Sequence, residues 1–437
     1  MSQFLIMLMV ANSQAGVFPY EIETAILENG LTVHVVPMNS PGLAAYYTWM
    51  SVGSRDEIDP GRTGFAHFFE HLMFFGTETT SAEEREQMVM RLGADENAWT
   101  WYDETVYHSV LATTKLTKLI DSEADRFQNL LLTADDVERE AGAVYGEFRK
   151  SRASPQQHLS NLLYATAFQS HTYSHDTLGY EADIAAMPSA FEYSQQFFDR
   201  YYRPENATIF VVGDVKGDEI FSTVEKAYGA WQPTEAAPIE IPVEPPQTAQ
   251  RRLDAKWGSP TAPRLVMGWK IPGHNPDDPD VAALELVANL LLSPVGPLHQ
   301  RLVRGEGIAY KISGGRDEFV DPCLFEVSLL LKDKIDLEAA EAIVLEEITS
   351  LQQSIKADSL DATRSHMKYD FLSSLNNPGS VASALGWHTR RGRSPDAIDR
   401  FYKHYDALTP EEVSEAARRY LVDEGLTVVT LVTEEAP

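Results

Sequence analysis

Apolar and polar residues alternate in several segments of the first half of the chain, which is the pattern of half-buried strands. Residues 21–37 alternate on both sides of Asn29-Gly30, a dipeptide that favours a tight turn, so a β-hairpin is predicted there. Residues 46–52 and 207–215 are predicted to be strands, and residues 188–202 have a helical period. The first half therefore predicts a mixed α and β structure.

The second half repeats this order in outline. Residues 265–271 and 319–331 are predicted strands, and residues 280–292 are a predicted helix. Each half ends with a helix that finishes in basic and aromatic residues and is followed by a strand. A segment with five prolines lies between the halves and is predicted to be a linker. We therefore expect two duplicated domains, 17–231 and 251–437, joined by residues 232–250.

Residues 64–76 are rich in apolar side chains and have glycine at both ends, which predicts a helix with its aromatic residues in the core. In a helix, His67 and His71 project from one face, one turn apart, and can bind one metal ion. Glu70 lies beside His71, so its carboxylate can take a proton from a water molecule at that metal. This H-x-x-E-H pattern is an inverted zinc-protease motif. The alternative is a core helix with two hydrogen-bonded histidines.

A catalytic zinc site needs three protein ligands and one open position. Residues 136–149 are predicted to form an acidic helix in which Glu140 and Glu147, two turns apart, lie on the same face. Both carboxylates can therefore point into one site. The alternative is an ordinary solvated helix, in which Arg139 and Arg149 are their partners.

Length and charge limit the possible functions. The chain has 437 residues, 43% of them hydrophobic, which is enough for two domains. With 36 basic and 65 acidic residues the net charge is −29, which argues against nucleic acid and anionic membrane surfaces as partners. The charge favours either solubility alone or an acidic chamber that attracts basic peptides. Cys323 is the single cysteine, so no intrachain disulfide and no cysteine zinc site can form.

Residues 1–15 form a possible signal segment. An apolar run over residues 4–11 is followed by the small residues Ser13 and Ala15, which suit a signal-peptidase site, although no Lys or Arg precedes the run. The run is too short to span a membrane, so no stable membrane insertion is expected. A periplasmic or secreted location is predicted, with a cytoplasmic protein and a frayed N-terminus as the alternative.

The motifs together resemble those of the pitrilysin, insulin-degrading enzyme and mitochondrial processing peptidase family of zinc peptidases. In that family the third ligand follows H-x-x-E-H by about 76 residues in an E-x-x-x-x-x-x-E helix, and Glu147 lies 76 residues after His71. The resemblance implies that His67, His71 and Glu147 bind Zn2+. It implies that Glu70 is the general base and Glu140 a supporting carboxylate. Further matches are Gly53-Ser54-Arg55-Asp56-Glu57, Thr63-Gly64 and Gly76-Thr77.

The resemblance also implies a site for peptide substrates. Residues 93–107 alternate, as in a strand with one exposed side, and in the family the segment containing Asn97 and Ala98 is an edge strand to which the substrate adds by backbone pairing. Asn97 is the candidate for a side-chain contact to substrate, with turn capping as the alternative. Arg304 and Tyr310 match an Arg and a Tyr that reach the active site of the facing half in the family. The spacing of Arg304, Gly307 and Tyr310 departs from the usual family pattern.

The fold implied is α+β, with two duplicated domains, each a mixed, largely antiparallel sheet with helices packed on one side. Two such domains make half of a clamshell chamber, so a dimer is expected. The implied function is that of a zinc metalloendopeptidase acting on peptides or unfolded segments enclosed in the dimer. The alternatives are a zinc-bearing subunit that needs a related partner chain, and a non-catalytic core or interaction subunit.

Overall fold

The computed structural model describes residues 9–11, 16–233 and 239–434. The predicted signal segment 1–15 lies outside the described residues except for a short strand at residues 9–11, and the linker is described except for residues 234–238. The described strands are β1 Met9–Ala11, β2 Ile22–Ile26, β3 Thr32–Pro37, β4 Leu43–Met50, β5 Asp95–Thr100, β6 Thr105–Ala112, β7 Ala207–Gly213, β8 Arg251–Trp257, β9 Arg264–Ile271, β10 Ala309–Arg316, β11 Cys323–Leu331 and β12 Leu426–Thr433.

The structure has α-helices at the predicted segments 64–76, 136–149, 188–202 and 280–292, and further helices that were not predicted. No helix in the described ranges is long and apolar enough to cross a membrane. The described α-helices are α1 Phe65–Leu72, α2 Ala82–Leu92, α3 Leu116–Asn129, α4 Ala134–Arg152, α5 Pro155–Ala167, α6 Glu181–Ala186, α7 Phe191–Tyr201, α8 Gly217–Tyr228, α9 Pro279–Leu292, α10 Leu337–Gln353, α11 Ala357–Ser374, α12 Pro378–Gly392, α13 Ala397–Ala407 and α14 Pro410–Tyr420.

The chain folds into two compact units that do not follow a single cut in the sequence. The first unit contains the described residues up to Phe148, His175–Ile241 and Leu372–Asp396. The second contains Arg149–Ser174, Pro242–Phe371 and the described residues from Ala397 onwards. The boundary at residues 232–250 stays a prediction. The segment around α5 precedes this boundary in the sequence but belongs to the second unit, and the segment around α12 follows it but belongs to the first unit.

The first unit is built on a sheet with the strand order β1-β2-β3-β7-β4-β6-β5 among the described residues. Only β3 and β7 pair in parallel, and β5 is an edge strand that pairs with β6. One face carries Val33, Val35 and Tyr46 into the same core as helix α1. The opposite face is covered in part by α12, where a Cβ on Gly386 would lie 2.3 Å from the ring of Trp49. Glycine therefore lets this helix approach the sheet.

The second unit contains a sheet with the strand order β8-β12-β9-β11-β10. Strands β8 and β12 are parallel and the other pairs are antiparallel, so the sheet matches the order β3-β7-β4-β6-β5 of the first unit strand for strand. Helices α9, α10 and α14 pack together in this unit, and α5 packs against strands β8, β9 and β12. The predicted α+β class and the duplication of mixed, largely antiparallel sheets are confirmed.

The alternating segment 93–107 contains two strands rather than one. β5 and β6 form a hairpin, closed where the Trp101 N–H donates to the Glu104 carbonyl at 2.8 Å. Asp103, a residue that favours turns, lies in this turn, but there is no Gly, Pro or Asn to mark it more strongly. The turn is also held by Arg391 of α12, whose guanidinium lies 3.2 Å from the Glu104 carboxylate. In the second half, the strand predicted over 319–331 begins at Cys323.

A buried charge network ties the edge strand β5 to helices α2 and α3. Arg85 donates to both carboxylate oxygens of Glu96 at 3.0 and 2.5 Å, and to Glu123 at 2.7 Å. Glu123 also pairs with Arg126, whose guanidinium lies over the ring of Tyr107. Burial alone would raise the pKa of Glu123, but the charges of Arg126 and Arg85 outweigh it and lower this pKa. Glu123 is therefore the shared ion-pair partner of two buried arginines, Arg85 and Arg126.

We predict that Glu123→Ala lowers the free energy of unfolding by about 3–5 kcal/mol, because it leaves two buried guanidinium groups without their shared partner. Urea denaturation of the purified chain measures this change. Glu86→Ala is the matched control, since Glu86 is exposed on α2 and its loss should change stability by less than about 0.5 kcal/mol. Equal stability of the two variants would contradict the structural role of the network.

Candidate active site

Helix α1 is fixed at its first turn by a buried carboxylate. Both oxygens of Glu57 accept backbone hydrogen bonds, from the N–H of Gly64 and of Ala66, each at 2.7 Å. Gly64 has φ 79°, and a Cβ there would lie 2.5 Å from Ile184. The acceptors satisfy N–H groups that the first turn cannot bond internally. The apolar face of the helix is fully buried through Phe65, Phe68, Phe69 and Leu72.

Burial of that apolar face leaves the other face of α1 for His67, Glu70 and His71. Helix α4 supplies Glu147, whose Oε2 lies 3.6 Å from His67 Nε2 and 3.7 Å from His71 Nε2. One ligand atom of each of the three residues lies within 4.8 Å of the other two. The structure thus brings together the three residues that the sequence nominated as metal ligands.

The two nitrogen-to-oxygen distances between the histidines and Glu147 fit a zinc ion. Tetrahedral ligands at bond lengths of roughly 2.0–2.1 Å are about 3.4 Å apart, close to the two nitrogen-to-oxygen distances observed here. Two imidazoles and one carboxylate are also the donor set of many catalytic zinc sites, in which the fourth position stays open. His67, His71 and Glu147 could therefore hold Zn2+.

Glu140 orients the ring of His71 through a hydrogen bond at Nδ1. Nδ1 of His71 lies 2.8 Å from Glu140 Oε1, and because a carboxylate can only accept here, Nδ1 carries the proton and Nε2 is free to bind a metal. Burial lowers the pKa of His71, but the bond to Glu140 and the charge of Glu147 outweigh it, so the net pKa is raised. For His67, burial and the neighbouring His71 lower the pKa to about 4, which keeps that ring neutral.

Glu70 is buried and bonded to the edge strand. Thr100 Oγ1 donates to Glu70 Oε2 at 2.6 Å, and Thr105 donates to the Val52 carbonyl at 2.9 Å beside it. Burial raises the pKa of Glu70, although the Thr100 bond opposes the shift. A raised pKa suits a group that first accepts and then returns a proton. The hydrogen bond from Thr100 to Glu70 was not predicted from the sequence, although strand alternation from Ala98 places Thr100 on the same face.

These residues line an open cavity of about 730 Å³. Asn97 and Ala98 lie on its rim, and the Ala98 N–H donates to the Asn97 side chain at 2.9 Å. Because β5 pairs on one side only among the described residues, its other side can accept a further strand. Phe74 and Phe75 were expected in the core; both are half-buried, pack against the core and also line this cavity.

Arg304 and Tyr310 belong to the second unit. Arg304 is exposed in a π-helical turn, His299–Gly305, that precedes β10. Tyr310 lies on β10, the edge strand that corresponds to β5, and its side chain is 62% exposed. The pairing register shifts between Ala309 and Lys311, so Tyr310 is the extra residue of a β-bulge. Bulges at sheet edges redirect a side chain away from the regular alternation.

A pair of histidines one turn apart, an adjacent glutamate and a second-helix glutamate on a duplicated α+β fold define the class of zinc metallopeptidases with an inverted motif. Sequence comparison gives the particular family. Residues 41–181 match the family profile described as insulinase, peptidase family M16, and residues 191–367 match that of the peptidase M16 inactive domain. The chain belongs to peptidase family M16.

Relatives align over almost the whole chain. Zinc protease PqqE of Helicobacter pylori is 26% identical over 99% of this chain and 97% of that protein. The probable mitochondrial-processing peptidase subunit beta of Arabidopsis thaliana is 24% identical over 93% of this chain and 78% of that protein. A solved protease from Helicobacter pylori has a TM-score of 0.89 at 26% identity, covering 94% of this chain and 99% of that one. Pitrilysin shares the fold, with a TM-score of 0.79 at 17% identity, covering 98% of this chain and 47% of that one.

We predict that Glu140→Gln lowers the pKa of His71 in the metal-free protein, because the variant removes the charge and the strong acceptor that favour the imidazolium. Titration of protein carrying ¹³C-labelled histidine, followed by NMR, measures this pKa. Glu138→Gln is the control, since Glu138 is exposed on the same helix. An unchanged His71 pKa in Glu140→Gln would contradict the pairing of Glu140 with this ring.

Proposed function

We propose that this chain is a zinc-dependent metalloendopeptidase that hydrolyses peptide bonds. The observation that carries the proposal is the convergence of His67, His71 and Glu147 around one point, with Glu70 beside them on α1. Membership of a peptidase family and the names of several relatives as zinc proteases support it. The raised pKa of Glu70 supports its assignment as the general base.

In this mechanism His67, His71 and Glu147 would hold zinc, which when bound would supply Lewis-acid chemistry to a water molecule and to the scissile carbonyl. Glu70 accepts the proton of the attacking water on its carboxylate and delivers it to the leaving amine. Thr100 holds one oxygen of Glu70 at 2.6 Å and so orients the other. Glu140 keeps His71 in the tautomer with Nε2 free. These groups act from rigid elements, which limits the reorganisation needed during reaction.

The peptide substrate is proposed to add to the free side of β5. Backbone hydrogen bonds along such an edge tolerate many sequences, which suits a peptidase of broad specificity. The Ala98 N–H now bonded to Asn97 would turn to the substrate, and the Asn97 side chain would bond the peptide in its place. The Arg85 and Glu96 pair holds the adjacent backbone in position during this exchange.

We further propose that a second copy of this chain, or a related subunit, completes the site through Arg304 and Tyr310. Both side chains are exposed, and a guanidinium and a phenol can bind a peptide carbonyl and a developing oxyanion. The bulge at Tyr310 supports this role, because it turns the ring out of the strand alternation. Peptide substrates would then be enclosed in a dimer, and the predicted location is periplasmic or secreted.

The second candidate is a non-catalytic or partner-dependent subunit. It is favoured by the match of residues 191–367 to an M16 domain described as inactive, and by the name of the Arabidopsis relative as one subunit of a peptidase. The complete ligand set and Glu70 in the first unit favour the catalytic reading instead. Cleavage of a peptide by the purified chain alone decides between them.

We predict that Glu70→Gln retains zinc but lowers kcat for a quenched fluorescent peptide by about 10²–10⁴-fold or more, because the amide cannot accept the proton. Zinc is quantified by mass spectrometry on the same samples. Glu138→Gln on α4 should retain both zinc and turnover. A zinc-loaded Glu70→Gln variant with wild-type turnover would refute the mechanism.

We predict that Tyr310→Phe lowers kcat by about 10-fold or more without loss of zinc, since one donor to the oxyanion is removed. Tyr369→Phe is the control, because Tyr369 is 70% exposed in the second unit. Mixing Glu70→Gln chains with Tyr310→Phe chains should restore activity. Mixed dimers then carry one intact site, about a quarter of the wild-type sites at random exchange. Failure to complement in dimers that do exchange would place Tyr310 outside the partner's site.

A further inference from the structure

The motif at residues 53–57, Gly-Ser-Arg-Asp-Glu, takes no part in the proposed mechanism. It forms a short turn after strand β4, within the first unit, and Ser54, Asp56 and Glu57 are buried there. This bridging segment, residues 53–57, is hydrogen-bonded both to the helix that carries the two histidines and to the hairpin that carries the substrate edge. It is therefore the part of the sequence motif that the proposed function leaves without a role.

The C-terminal end of the bridging segment holds helix α1. The side chain of Glu57 accepts the N–H groups of Gly64 and Ala66, each at 2.7 Å. His67 follows Ala66 directly, so this contact fixes the turn from which the first candidate metal ligand projects. A displacement of Glu57 would therefore displace the helix that carries the histidines and Glu70.

The N-terminal end of the bridging segment holds the turn that joins β5 to β6. The N–H groups of Ser54 and Arg55 donate to the carbonyls of Trp101 and Tyr102, at 3.3 and 2.8 Å. Gly53 has an extended backbone, with φ −150°, which alanine can adopt. A Cβ at Gly53 would lie 2.4 Å from each of the same two carbonyl oxygens. Glycine is therefore needed here for close approach and not for backbone freedom.

The same turn is held by helix α12 and leads directly to the candidate base. Arg390 donates from Nε to the Asp103 carbonyl at 3.2 Å, in addition to the contact between Arg391 and Glu104. Thr100 is the residue before the turn, and it donates to Glu70 at 2.6 Å. The bond between the substrate strand and the candidate base thus depends on the distance at which the turn and helix α1 are held. The bridging segment contacts both of them.

We propose that the bridging segment sets the separation between the substrate strand β5 and helix α1, with Gly53 and Glu57 as positioning residues. The inference rests on the proposed peptidase function, because this separation matters to a reaction only if Glu70 acts on a peptide bound along β5. A misplacement of about 1 Å at a reacting group can cost roughly 100-fold in rate. One end of the segment controls the position of the bound peptide, and the other end controls the position of the base.

The first test is Gly53→Ala, which inserts one methyl group between the bridging segment and the turn. We expect kcat for a quenched fluorescent peptide to fall by about 10–100-fold, because Thr100 and Glu70 are moved apart. KM and zinc affinity should change by less than about 3-fold, since the variant leaves the ligand candidates and the free side of β5 in place. Gly258→Ala is the matched control, because a Cβ at Gly258 meets no described atom within 4 Å.

The second test is Glu57→Gln, which keeps the volume of the side chain but turns an NH₂ group towards one of the two N–H donors of α1. Because this variant loosens the helix that carries both histidines, zinc affinity should fall by about 10-fold together with kcat. Competition with a chelator measures this affinity. Glu86→Gln, at an exposed residue of α2, should change neither quantity. A general loss of stability would not give different signatures at the two ends of the segment, and thermal denaturation monitors the folding of each variant.

Amide hydrogen exchange, followed by mass spectrometry, gives a readout that needs no turnover. Gly53→Ala should accelerate exchange in residues 95–105 and leave the second unit unchanged. If the wild-type chain cleaves no peptide, the peptidase proposal fails, while exchange and zinc affinity still decide whether the bridging segment holds both elements. If Gly53→Ala does not fold, Glu57→Gln decides alone. Wild-type kcat or wild-type exchange in folded Gly53→Ala, or unchanged zinc affinity in Glu57→Gln, would overturn the proposal.

Discussion

The site depends on holding two largely buried imidazoles beside carboxylates from a different helix. Three carboxylates, Glu70, Glu140 and Glu147, face only two histidines, and the environment of His67 keeps that ring neutral. Such an excess of negative charge in a partly buried place is unfavourable unless a cation compensates it. Burial of the apolar face of α1 and the Glu57 cap fix one side of the site and offset this unfavourable free energy. Helix α4 then brings the other side within about 4 Å, the range of direct charge interaction.

The duplicated sheets carry different candidate residues on equivalent edge strands. Both sheets have the same strand order, and both place candidate substrate residues on the same edge strand, Asn97 and Ala98 on β5 and Tyr310 on β10. Only the first copy carries H-x-x-E-H and the paired glutamates of α4. In the second copy the edge strand is interrupted by a bulge that exposes an aromatic side chain. The two copies therefore present different chemistry from equivalent positions.

Local patterns predicted the parts of the site that are close in sequence. The i and i+4 spacing placed His67 and His71 on one face, and alternation around Asn29-Gly30 gave the first hairpin, as the structure has it. Helical spacing nominated Glu140 and Glu147 as a pair on one face, but only the family resemblance identified Glu147 as the third ligand, because periodicity does not say which site an acidic face meets. The hydrogen bond from Thr100 to Glu70 was not predicted because it depends on the packing of β5 against α1, which is set by tertiary contacts.

The packing of helices α5 and α12 could not be predicted from sequence patterns either. Helical periodicity can predict a helix at α5 but cannot say that it packs on the sheet of the second unit. The same holds for α12, where the close fit of Gly386 to Trp49 becomes visible only once both are placed. The turn at Glu104 also depends on that helix through Arg391, a contact that the local sequence does not show.

X-ray absorption spectroscopy on the purified chain, combined with its metal content, measures whether His67, His71 and Glu147 hold zinc. We expect one zinc per chain, with a first shell of nitrogen and oxygen atoms at about 2.0–2.1 Å and the multiple-scattering pattern of two imidazoles. His71→Ala should remove one imidazole from that pattern. A shell without imidazole, or zinc retained unchanged after loss of His71, would show that these residues do not form the metal site.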